Sequence, residues 1–130
     1  MDITVDTSTL IAVIGNEASR DRAIKLTTGH GLIAPSSVHW EIGNTLSAMI
    51  KRNRITLVQA NACIEAYQNI PIRLVDVDLK QSLALVSKLR IYAYDAYLLA
   101  CATQFGTPLL TLDGLMKEAA ASLGIEVLEV

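Results

Sequence analysis

Four acidic residues stand where simple solvation does not readily account for them, and oxygen donors of this kind, once gathered, suit hard divalent cations. Asp6 lies inside the apolar stretch "ITVDTSTLIAVI", residues 3–14, where an unpaired buried charge is costly. Asp113 closes the run "TPLLTLD", Asp95 sits in "YAYDAYLLA", and Glu41 sits in "VHWEIGNTLSAMI" amid Val38, Trp40, Ile42 and Leu46.

Each acid has a structural alternative. Asp6 and Asp113 precede helical patterns, and taken alone each is most simply an N-cap accepting backbone N–H bonds. Asp95 falls in the first turn of a helical pattern, where the helix dipole favours a carboxylate. Glu41 is too deep in its helix to be a cap. It shares a face with Asn44 and Thr45 at i+3 and i+4, and exposure of that face is its alternative. Four carboxylates from distant positions converge only if a cation offsets their repulsion. Two divalent ions a few Å apart clamp the attacking and leaving oxygens of an in-line phosphoryl displacement, so convergence would mean metal-dependent phosphate or phosphodiester chemistry.

The elements that must position these acids alternate in period. A strand is expected over residues 2–6, helices between 8 and 30, a strand over 32–34, and a long helix from Ser37 to about Arg52. A further helix covers "TLVQANACIEAYQN", "IRLVDV" is extended, and "LKQSLALVSKL" and "DAYLLACATQF" are helical, the last stopped by Gly106 with Pro108 beyond. "PLLTLD", another helix and "IEVLEV" complete the chain. Five short apolar strands separated by helices call for a parallel sheet covered on both faces, a three-layer α/β/α class. Ligands of such sheets bind beyond the carboxyl ends of the strands, where strand order reverses. Asp6 and Asp113 are expected at strand ends.

Composition limits the alternatives. With 130 residues, 52% hydrophobic and 18% charged, the chain fits one globular domain over residues 1–130. Apolar runs fall well below the roughly 20 residues that cross a bilayer, and the N-terminus has no basic leader, so a cytoplasmic protein with no membrane partner is expected. The net charge of −2 gives no global argument for nucleic-acid binding. The cluster "KRNR", Lys51 to Arg54, reads as a solvated helix end. Cys63 and Cys101 lack metal-ligand spacing and read as free thiols, and His30 and His39 as structural residues. Asp78, three residues before Gln81, opens a helix in the manner of a capping box, and Asp76 precedes it on an expected edge strand.

Taken together, "VDTS", "WEIGNTL", "YDAYLLACA" and "PLLTLDGLMKEAA" resemble, in order and spacing from Ile3 to Val127, the PIN-domain ribonucleases, especially the VapC toxins of toxin–antitoxin systems. The resemblance implies a five-stranded parallel sheet of order 3-2-1-4-5. It also implies an acidic pocket of Asp6, Glu41, Asp95 and Asp113 that holds Mg²⁺ or Mn²⁺ for RNA cleavage. Ser8, Asn44 and Thr111 match positions that orient the carboxylates or metal-bound water. It further implies an RNA substrate, a homodimer, and a cognate antitoxin whose C-terminal segment covers the acids. Gly114 and Met116 depart from the pattern, where relatives often carry larger polar and aromatic or leucine residues.

Other assignments fit less well. A haloacid-type phosphatase needs a second carboxylate two residues after the first, where this chain has Ser8. A receiver domain needs an acidic pair near the first strand, and no glycine-rich phosphate loop occurs. A PIN-like module without catalysis that acts by binding a protein partner is the remaining alternative. Trp40, Tyr67, Tyr94 and Tyr97 are the aromatic residues available to interfaces, with core packing the competing role.

Overall fold

The apolar N-terminal stretch becomes the centre of a parallel sheet. A computed structural model describes residues 1–129, and in it β1 (Asp2–Val5), β2 (Gly31–Pro35), β3 (Ile72–Val75), β4 (Leu109–Leu110) and β5 (Val127–Leu128) pair in the order β3-β2-β1-β4-β5. All four pairings are parallel. Seven helices connect them: α1 (Thr7–Ile14), α2 (Arg20–Thr27), α3 (Ser37–Lys51), α4 (Leu57–Gln68), α5 (Leu79–Leu89), α6 (Ala93–Phe105) and α7 (Gly114–Ser122). The fold class and strand order are those expected.

The layers follow from the connections. From β1 the chain steps outward to β2 and β3 through α1–α4, and α1 packs against α2, α3 and α4. It then crosses back over the sheet through α5 and α6 to β4, and α6 lies on β1 and β2. With right-handed crossovers, this reversal of direction puts the two helix groups on opposite faces. Ile3, Val5, Ile33, Leu109 and Leu110 are fully or almost fully buried between them, as a doubly covered sheet demands. Helix α6 buries Ala96, Leu98, Leu99, Ala100, Cys101 and Ala102, and its alanines let the backbone approach the strands closely.

Caps set where the helices begin. Asp6 and Asp113 cap α1 and α7, and Asp78 accepts from the Gln81 backbone to cap α5. A full capping box, Thr56 with Gln59, opens α4. The strands are shorter than the apolar patterns suggest: Asp6 lies one residue past β1, and Asp113 lies three past β4. In both cases a helix cap claims the residue that periodicity assigned to the strand. Cys63 and Cys101 are free, and no described helix is long and apolar enough to cross a membrane.

Candidate active site

The switch point of the sheet lies between β1, whose chain proceeds to β2, and β4 on its other side. Val5 pairs with Leu110, so the segments leaving β1 and β4 run side by side over the carboxyl edge. The backbone N–H of Asp6 donates to the Leu110 carbonyl at 3.3 Å, and the Thr9 hydroxyl donates to the same oxygen at 3.1 Å.

Asp6 is 3% exposed and its carboxylate is held by three donors. Oδ1 accepts from the Ser8 hydroxyl at 2.8 Å and the Thr9 backbone N–H at 3.0 Å, and Oδ2 accepts from the Thr111 hydroxyl. The network extends across the two segments. The Leu112 N–H donates to Ser8 Oγ, and the Asp113 N–H donates to Thr111 Oγ1, both at 3.0 Å. Burial pushes the Asp6 carboxyl above its ordinary range, and the hydrogen bonds from Thr111, Thr9 and Ser8 only partly oppose this.

The other three acids arrive on helices. Glu41 lies in the second turn of α3 and is half-buried. Its carboxyl is pushed up by burial first and then by the charges of Asp95 and Asp6. Thr7 is near enough to favour the carboxylate, yet Glu41 Oε2 and Thr7 Oγ1 are both buried without a hydrogen-bond partner among the described residues. Asp95, in the first turn of α6, is likewise pushed up by burial and then by Asp113 and Asp6. Asp113 is exposed, and its Oδ1 accepts from the Leu115 N–H at 2.9 Å and the Met116 N–H at 3.4 Å.

The fold thus brings Glu41 within reach of the charges of Asp95 and Asp6, and Asp95 within reach of those of Asp113 and Asp6, at one edge of the sheet. Among the described residues no three His, Cys, Asp or Glu side chains lie close enough to form a ready ligand group for one ion. The donor set still suits a hard cation: it is all oxygen, it repels itself, and it contains an unpartnered buried carboxylate oxygen on Glu41.

Of the three flanking residues expected here, Ser8 and Thr111 bind Asp6 directly. Asn44 does not join them: it is exposed, makes no hydrogen bond to the acids, and lines a depression with Glu17, Thr45, Arg52 and Arg54. Asn44 lies about one helical turn beyond Glu41 on α3 and lines a depression that Glu41 does not. Spacing alone does not single out Thr9. Its signal in the sequence is the run of three hydroxyl residues, Thr7 to Thr9, that follows a buried acid. A cavity of about 580 Å³ between α1, α2 and β2 contains none of the four acids.

His30 bonds the Met1 carbonyl, and His39 packs on Trp40 and Tyr67.

The sequence matches the PIN domain family model over residues 3–122. No curated protein sequence matches the chain. Solved structures with the same fold include a Pyrobaculum aerophilum protein, 20% identical, covering 92% of this chain and 79% of that one, with a TM-score of 0.72. Another is the sarcin-ricin-loop-cleaving toxin VapC20 of Mycobacterium tuberculosis, 20% identical over 90% of this chain and 94% of that one, TM-score 0.65. A third is VapBC2 of Rickettsia felis, solved with a DNA fragment of its promoter, 16% identical over 99% and 98% of the two chains, TM-score 0.66.

Proposed function

Because the chain belongs to the PIN-domain family, we propose that it is a Mg²⁺- or Mn²⁺-dependent endoribonuclease, the toxin of a toxin–antitoxin pair. The observation that carries this reading is that four separate segments deliver Asp6, Glu41, Asp95 and Asp113 to one edge of the sheet, where the charges of Asp95 and Asp6 act on Glu41 and those of Asp113 and Asp6 act on Asp95.

A bound divalent ion supplies an acidified water and charge stabilisation for the leaving oxygen. The chain's own part is to hold the oxygens that would bind it. Asp6 is fixed by Ser8, Thr9 and Thr111, so its carboxylate is preorganised. Glu41 offers its unpartnered Oε2, and Asp95 and Asp113 bring charge from α6 and from the turn after β4. Asn44 has no such contact and is left out of this set.

An antitoxin partner is supported by the fold shared with VapBC2 and with a toxin–antitoxin complex of Klebsiella pneumoniae. Four unneutralised carboxylates suit an inhibitor that presents an arginine. A homodimer and residence in the cytoplasm complete the proposal.

The test is RNA cleavage with added Mg²⁺ or Mn²⁺. Asp6→Asn and Asp95→Asn should each lower the rate by about 100-fold or more while the protein stays folded. Full metal-dependent cleavage by both variants would refute the assignment. Absence of cleavage by the wild type with either metal would leave the non-catalytic binding module.

A further inference from the structure

We propose that a depression at the same carboxyl edge of the sheet as the acids is a nucleobase pocket in which an unpaired guanine of the RNA stacks on Trp40 and donates its Watson–Crick edge to Asp76. This rests on the ribonuclease reading. The depression, about 420 Å³, is lined by Pro35, Ser37, Trp40, Asp76, Leu79 and Tyr97 among others. Pro35 ends β2, and Asp76 follows the last residue of β3. The pocket therefore opens at the carboxyl edge over β2 and β3, one to two strand spacings, about 5–10 Å, from the end of β1. The helices that carry two of the acids also carry its two rings: Trp40 precedes Glu41 on α3, and Tyr97 follows Asp95 by two residues on α6.

Two features select the occupant. Trp40 is 68% exposed, and the His39 ring steadies it at 4.8 Å and 87°. An exposed indole held in place is a stacking platform that every base can use. Asp76 adds an exposed acceptor, while among the described residues no Lys or Arg lines the depression. Phosphate and acidic side chains are thereby repelled, and a base that presents donors is attracted. Guanine offers N1–H and its exocyclic amine side by side to one carboxylate, whereas uracil offers a single N–H between two carbonyls that the carboxylate repels.

Trp40 is the only tryptophan in the chain, so its fluorescence reads the pocket directly. The full chain is titrated in chelator, so that RNA is not cut, with hexauridylate and with the same strand carrying one guanosine. The guanosine strand should quench Trp40 and bind at least about fivefold more tightly. Asp76→Asn should abolish that preference while quenching persists. Because stacking rather than phosphate contact drives binding, added salt should weaken it little.

Equal titration by the two strands, or no quenching by either, would overturn the pocket. Metal-dependent cleavage of the same strand would then leave the ribonuclease reading standing. Quenching by the guanosine strand without cleavage in Mg²⁺ or Mn²⁺ would support the pocket and refute the ribonuclease. Trp40 emission that follows protein concentration and ignores RNA would assign this face to a second copy of the chain and overturn the proposal.

Discussion

Asp95 shows how a single carboxyl can carry a cost that a ligand would relieve. In the folded chain burial, then Asp113 and Asp6, raise its pKa above the ordinary 3.8. As pH rises the unfolded chain loses this proton first, so the Asp95 contribution to stability falls from pH 3.8 up to the raised folded value and stays low above it. Asp95→Asn removes that cost. In chelator at neutral pH it should melt above wild type, by no more than about 3 °C because solvent screens a half-exposed group. The difference should vanish below pH 3.8. Melts that differ equally at both pH values would refute the repulsion. Asp6 is also pushed up by burial, but three hydrogen-bond donors partly oppose this. Thr111→Val removes one of them at nearly constant volume, leaving an under-satisfied carboxylate at a cost of about 1–3 kcal/mol, readable by denaturant unfolding.

At the scale of elements, the caps and the candidate ligands overlap, and substitutions separate the two roles. Asp113 caps α7 through its Oδ1, and asparagine caps about as well as aspartate. Asp113→Asn should therefore change stability by only a few tenths of a kcal/mol while RNA cleavage falls sharply. Asp113→Ala should lose the cap as well, about 1 kcal/mol. Thr56→Ala, at the capping box of α4, is the converse: it should cost about 1 kcal/mol and leave cleavage intact. Helix α6 is the mount of Asp95, and its Leu99 is fully buried. Leu99→Ala should cost about 2–5 kcal/mol in unfolding experiments, the range for a buried leucine that leaves a cavity.

At the scale of the whole molecule, four repelling acids at one sheet edge predict that Mg²⁺ or Mn²⁺ stabilises the folded chain. The melting midpoint should rise with metal concentration, by the equivalent of about 2.7 kcal/mol at 100 times the dissociation constant, and a flat titration would count against the site. The layered class and the places of the helices were legible from local patterns, because hydrophobic period and cap residues act within a few positions of one another. The strand order came from resemblance to a family, since no local pattern shows which strands pair. The identities of Asp6, Glu41, Asp95 and Asp113 could be picked out singly, each with a bland alternative, and for Asp6 and Asp113 the bland role proved real: both cap helices. What only the tertiary structure decided is that Ser8 and Thr111 grip Asp6 while Asn44 stands apart, and that Trp40, Ser37, Asp76 and Tyr97 line one depression. These meetings join residues up to 105 positions apart. They depend on the pairing of β1 with β4 and of β2 with β3, a long-range register that no short stretch of sequence contains.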